Sequence, residues 1–79
     1  MDGHKEMLIG CGKRIKEIRK ARGLTVEQLA ERLELSTSYI GLVERGCRVL
    51  SLRKMVEFCE FVKASLDYVV LGVEPVAQI

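Results

Sequence analysis

A chain of 79 residues has room for one domain, and a domain this small buries only about 60% of the surface that its unfolded chain exposes. Its net charge of +2 is too small for a nonspecific nucleic-acid coat. No apolar run approaches the roughly 18 residues of a membrane span, and the N-terminal MDGHKEMLIG lacks the apolar centre of a secretory signal, so a cytoplasmic protein is the expectation.

Hydrophobic residues make up 48% of the chain, enough for a compact core, and helical periodicity is readable almost throughout, with no strict strand-like alternation bounded by turns. The chain reads as all-α. The first helix is predicted over Gly12 to Arg22, with Ile15 and Ile18 inward, Lys13, Lys16 and Lys20 outward, and Gly23 as its left-handed stop. Residues 1–11 are then an N-terminal extension. Charge is skewed toward this end: residues 1–23 hold seven Lys/Arg against three Asp/Glu, and residues 24–79 hold six against eight. A solvated basic helix face explains that skew as well as a binding surface does.

Thr25 with Gln28 three residues on forms a capping box for a second helix reaching Leu33, with Leu29, Ala30 and Leu33 inside. After the short turn Glu34-Leu35, Ser36 caps a third helix that runs to about Arg45 and stops at Gly46. Ile40 and Val43 face inward on it, which leaves Ser38, Gly41, Leu42 and Arg45 as an unusual outward face. Ser51 caps a fourth helix, Leu52 to Val62, with Leu52, Met55, Val56, Cys59 and Val62 recurring at helical spacing; Ser65 caps a fifth, ending at Leu71-Gly72.

The second helix, tight turn and third helix form a helix-turn-helix pattern. GKRIKEIRKARGLTVEQLAERLELSTSYIGLVERG, followed by SLRKMVEFCEFVKASLDYVVLG, resembles the Cro and phage-repressor type, or XRE, family of helix-turn-helix proteins over residues 12–72. The resemblance implies a compact five-helix bundle of the lambda-repressor-like type, with residues 73–79 as a C-terminal tail. It also implies a transcriptional regulator, in particular a repressor, that binds double-stranded DNA with the third helix in the major groove. On the matching positions Thr37, Ser38 and Leu42 meet base edges, the first two through hydroxyls and Leu42 through a thymine methyl. Gly41 leaves room for the backbone to approach the groove wall. Thr25, Gln28, Tyr39, Arg45 and Arg48 fall where the family anchors phosphates, which sets register and salt dependence without reading sequence. Val26 stands where the family often has Gln and removes one such contact. Arg19 and Glu44 match a pair of opposite charges beneath the DNA-facing surface, placed there to orient the third helix. Glu34 and Lys63 occupy positions where the family commonly has Gly.

Other chemistry is thinly represented. An enzyme needs convergent acid, base or nucleophile groups, and this chain offers a single His and scattered cysteines and carboxylates. Cys11, Cys47 and Cys59 fit neither a disulfide framework nor paired metal-ligand spacings, so no metal and no cofactor is implied. Cys59 has the phase of a small core residue. Cys47, between Arg45 and Arg48, is either an incidental loop thiol or one activated by neighbouring cations. The rival functional reading is a protein-interaction module or antitoxin-type protein that binds a partner through an apolar groove. Once the inward positions are assigned, Phe61, Tyr68, Val70, Leu71 and Val73, with Val76 and Ile79 beyond, are left over. This surplus predicts a two-fold homodimer through the fifth helix and tail, presenting two reading helices to a palindromic operator.

Overall fold

A computed structural model of the protein describes residues 3–73. The chain forms α1 (Gly3–Ala21), α2 (Val26–Leu33), α3 (Thr37–Glu44), α4 (Leu52–Val62) and α5 (Leu66–Leu71), with no strand among the described residues. Helices α2 to α5 begin at residues named by their polarity. Thr25, Ser36, Ser51 and Ser65 each accept a backbone N–H from the third residue along, and the Gln28 side chain returns the bond to the Thr25 N–H at 2.9 Å. Every such cap satisfies one of the donors that the first turn of a helix leaves open.

Helix ends are made in a common way. After α1, α2, α3 and α4 the backbone turns left-handed at Gly23, Glu34, Gly46 and Lys63, and the next N–H reaches back five residues, for example Leu35 to the Ala30 carbonyl and Ala64 to the Cys59 carbonyl. These are Schellman-type ends. Glu34 (φ 58°) and Lys63 (φ 61°) hold the left-handed conformation that the family gives to Gly, so each carries local strain of about 1–2 kcal/mol.

The first helix departs from expectation. It runs straight through the boundary predicted at Gly12 and begins at Gly3, two turns and more before it. Gly12 is glycine for packing. A Cβ there would overlap the Val43 carbonyl oxygen and stand 2.8 Å from that of Glu44, so its absence lets α1 cross the end of α3 at backbone contact. Gly46 repeats the device from the other side, where a Cβ would lie 2.7 Å from the Ile9 Cα. The helix therefore extends through residues 3–11, of which residues 4–7 and 9 are exposed while Cys11 is buried.

The core gathers Cys11, Ile15, Leu29, Ala30, Leu33, Ile40, Val43, Leu50, Met55, Phe58, Cys59, Val62 and Val69. Ile18 and Leu24 lie partly buried against it, as predicted. The phase of α4 needs correction: Phe58 is fully buried, whereas Leu52 (75% exposed) and Val56 (39%) are not inward. Met55, Phe58, Cys59 and Val62 form the inward face, and Leu52 instead lines an open groove with Leu66, Val70 and Leu71 of α5. Burial pushes the Cys11 thiol above its ordinary value of 9.0, against the pull of Arg14. Cys59 is raised likewise by burial and by Cys11.

Two substitutions test this account by urea or thermal denaturation. Gly12→Ala forces α1 off α3 and is expected to cost at least about 2 kcal/mol, despite the better helix propensity of Ala, through overpacking. Lys63→Gly relieves left-handed strain and is expected to stabilise by about 0.5–1 kcal/mol after the entropy of the unfolded glycine is counted. A neutral Gly12→Ala would show that the α1–α3 backbone contact is not close-packed.

Candidate nucleic-acid interface

The outward face of α3 is built from below. Arg19 of α1 and Glu44 of α3 form a fork-to-fork pair, Nε to Oε2 at 2.7 Å and Nη2 to Oε1 at 3.2 Å, while Arg19 Nη1 donates to the Leu24 carbonyl at 2.8 Å. Both side chains are nearly inaccessible, 8% and 7% exposed. One guanidinium thus ties the end of α3 to α1 and to the loop that leads into α2. Glu44 is thus engaged beneath α3 rather than on its outward face.

On the opposite side, Thr37 and Ser38 are exposed at the first turn of α3, and their hydroxyls engage no protein group among the described residues. Ile40 and Val43 are 1% and 2% exposed, which fixes the rotation of the helix, and Leu42 is half-buried at the flank. At the start of α2, Thr25 and Gln28 use one acceptor each in the capping box. The Thr25 hydroxyl proton and the Gln28 amide N–H groups remain directed to solvent. Val26 is half-buried against the core, the apolar substitute for the polar residue common at this position.

Beyond α3, the loop 45–50 carries Arg45, Cys47 and Arg48, all exposed. Tyr39 differs from expectation. Its hydroxyl donates to the Val49 carbonyl at 2.7 Å, so the proton that a phosphate contact would require is spent on tying α3 to its own loop. Arg48 Nη1 donates to the Cys47 carbonyl at 3.1 Å and leaves the rest of its fork open.

Arg14 of α1 and Arg22, just past its C-terminal end, escaped sequence reasoning. Arg14 donates from Nε to the Val69 carbonyl and from Nη2 to the Val70 carbonyl, each at 3.0 Å, and Arg22 Nε donates to the Val62 carbonyl at 2.9 Å. They cap the C-terminal ends of α5 and α4, where carbonyls lack helical partners and cations are favoured. The basic skew of the N-terminal third is therefore partly architectural: Arg14, Arg19 and Arg22 bond to carbonyls or to Glu44, though Arg22 is itself exposed, and Lys13, Lys16 and Lys20 stay on the surface. The signal that could have found them is the choice of side chain, since the cations between residues 13 and 22 that bond to carbonyls or to Glu44 are Arg, and Lys13, Lys16 and Lys20 are exposed.

The leftover apolar residues separate into two places. Val70 and Leu71 line an open groove with Val49, Leu50, Leu52, Met55, Leu66 and Asp67. Leu52, Leu66, Leu71 and Val73 stand exposed at 75, 38, 60 and 53%. Tyr68 is partly buried against the core. Phe61 belongs elsewhere, under the Arg32 guanidinium 4.4 Å above its ring on the α2–α4 side, and the expectation that it joins the α5 surface is corrected accordingly. Residues 74–79, with Val76 and Ile79, lie outside the described residues.

A helix-turn-helix domain model matches residues 12–69. The chain belongs to the helix-turn-helix family. It is 38% identical over 56 residues to the HTH-type transcriptional regulator SinR of Bacillus subtilis, across 71% of this chain and 48% of SinR; the chain thus spans about half the length of the curated relatives it matches. Among solved structures of the same helix-turn-helix architecture it is similar to the restriction-modification controller protein C.AhdI from Aeromonas hydrophila (TM-score 0.71, 35% identity, 78% of this chain and 94% of that one). It is also similar to the clp gene regulator ClgR from Corynebacterium glutamicum (0.75, 26%, 82% and 69%). SinR solved in complex with DNA aligns with a TM-score of 0.67 at 27% identity, over 75% of this chain and 95% of that chain.

The ion pair under α3 is tested by a double-mutant cycle. Arg19→Ala or Glu44→Ala alone is expected to cost about 3–5 kcal/mol by stranding a buried charge, whereas the apolar pair Arg19→Met with Glu44→Leu should recover most of that loss. Equal losses from the double and single variants would contradict a desolvated pair.

Proposed function

We propose that this chain is a sequence-specific double-stranded DNA-binding regulator of transcription, acting as a repressor, with α3 seated in the major groove. The observation that carries the reading is the first turn of α3. Thr37 and Ser38 present hydroxyls with no protein partner among the described residues, on a helix whose rotation is locked by Ile40, Val43 and the Arg19–Glu44 fork. Rigid support with unsatisfied polar groups on the outer face is what base readout requires, because hydrogen bonds to base edges then replace hydrogen bonds to water without ordering the protein. Leu42 supplies an apolar contact beside them.

The donors left open on Thr25, Gln28 and Arg48 stand on either side of that face in the chain, suited to phosphate oxygens that fix register. That a relative, SinR, has been solved on DNA supports the same use of the fold here. The exposed apolar edge of Leu52, Leu66, Leu71 and Val73 supports a homodimer and hence a palindromic operator, since one reading helix covers only a few base pairs and a second extends the site by a helical turn. Such a regulator works in the cytoplasm and needs neither catalysis nor cofactor.

Roles are separable by measurement. Arg48→Ala is expected to weaken binding to all duplexes alike and to lower the slope of log K against log salt by about one. Thr37→Ala and Ser38→Ala should change which bases are tolerated, each at a cost of about 1–3 kcal/mol for the preferred site. A chain whose DNA affinity is negligible at low salt would remove the proposal.

Dimerisation is read by light scattering at micromolar concentration. Leu71→Glu and Leu52→Glu, both on well-exposed positions, are expected to shift a dimer to monomer without lowering the melting temperature of the monomer fold; a monomeric wild type, free and on DNA, would exclude the two-fold arrangement.

A further inference from the structure

Gly41 sits in the middle of α3, on the same face as Ser38, Leu42 and Arg45 at helical spacing. Glycine there weakens the helix relative to alanine, and no left-handed backbone angle calls for it. The space left by its missing side chain is occupied. A Cβ at Gly41 would lie 3.4 Å from Arg45 Nη1 and 4.0 Å from Cζ and Nη2, so the guanidinium folds back along the helix and rests over the bare Gly41 backbone.

That direction is the one helical side chains favour, toward the N-terminal end. It moves the Arg45 donors about one turn, roughly 5.4 Å, from the C-terminal cap of α3 back toward Ser38 and Leu42. Arg45 is exposed and its side chain donates to no protein acceptor among the described residues. The other arginines against α1 and α3 behave differently: Arg14, Arg19 and Arg22 are spent on carbonyls or on Glu44, and Arg48 is held at the Cys47 carbonyl in the loop.

We propose that Arg45 is a specificity-determining residue that reads a guanine in the major groove. This rests on α3 being the reading helix. When that helix lies in the groove, its outward face meets base edges and phosphates lie to the sides. A guanidinium held against the middle of the face therefore approaches O6 and N7 of guanine, to which it donates two parallel hydrogen bonds. Gly41 serves as a positioning residue. By offering a flat backbone rather than a side chain, it keeps the planar fork within the width of the groove, and a pre-placed fork loses less rotamer freedom on binding. Together with Thr37, Ser38 and Leu42, the pair completes one continuous recognition surface from the first turn of α3 to its last.

The test is selection of bound sequences from random duplexes by the full chain, with salt titrations on the selected site. Arg45→Ala is expected to lose guanine preference at one position per half-site by about tenfold or more, with preferences elsewhere and the salt slope retained. Gly41→Leu, which fills the guanidinium's place while leaving Arg45 intact, is expected to lose preference at that same position. Uniform weakening by Arg45→Ala with a salt slope lower by about one and unchanged base preference would assign Arg45 to a phosphate, overturning this inference while the DNA-binding reading stands. Guanine preference that survives in Gly41→Leu would overturn the positioning role. A wild-type chain that enriches no sequence would overturn both the inference and the reading beneath it.

Discussion

Everything on the outward face of this domain depends on how α3 is held from behind, and the Arg19–Glu44 fork is the centre of that hold. Two charges, each more than nine-tenths covered, are worth little net stability against an apolar pair of the same size. Their value is geometric. Two parallel hydrogen bonds fix distance and rotation together, and the third bond to the Leu24 carbonyl brings the entry to α2 into the same lock. Gly12 completes it, since α1 passes close enough to the Val43 and Glu44 carbonyls that no side chain fits between.

The first helix is thus a spine to which the other helices are fastened. Arg14 closes the end of α5, Arg19 the end of α3, and Arg22 the end of α4. Each guanidinium meets carbonyls or a carboxylate at a helix C-terminus, where the backbone leaves acceptors open and the dipole favours a cation. A small domain with a limited apolar core gains from such links, because they order helix ends that would otherwise fray. Their partners lie far away in sequence, so the links also join the N-terminal helix to the last one. The structure is therefore closed end to end rather than built as a helix-turn-helix with appendages.

Polar and apolar surfaces are kept apart in the same way. Hydroxyls, amides and an open guanidinium occur along α3 and at the start of α2. The exposed leucines occur at the start of α4 and on α5, around the groove of Val49, Met55 and Val70. A reading face needs groups that exchange water for base edges, and an association face needs groups that are better off without water. In the proposed function, their placement on different helices lets each be satisfied without compromising the other.

Local chemistry was legible in the amino-acid sequence. Capping residues gave the starts of α2 to α5, Gly23, Gly46 and Gly72 gave the ends of α1, α3 and α5, and resemblance to the XRE family pointed to the Arg19–Glu44 pair. These features act within one turn or were carried by the family pattern. Tertiary structure alone decided the rest. The predicted first helix begins at Gly12, whereas in the fold this glycine lies within a longer helix and admits a neighbouring backbone. It turned α4 toward Leu52 and Val56 because periodicity has no fixed origin in a short helix, and only packing selected Phe58. The Tyr39 proton goes to the Val49 carbonyl rather than to solvent, Phe61 lies under Arg32, and the Arg45 fork rests over Gly41. Each of these outcomes depends on which atoms arrive next to a side chain from elsewhere in the fold. Sequence spacing names the face on which a group sits; the partner it meets there is a property of the assembled structure.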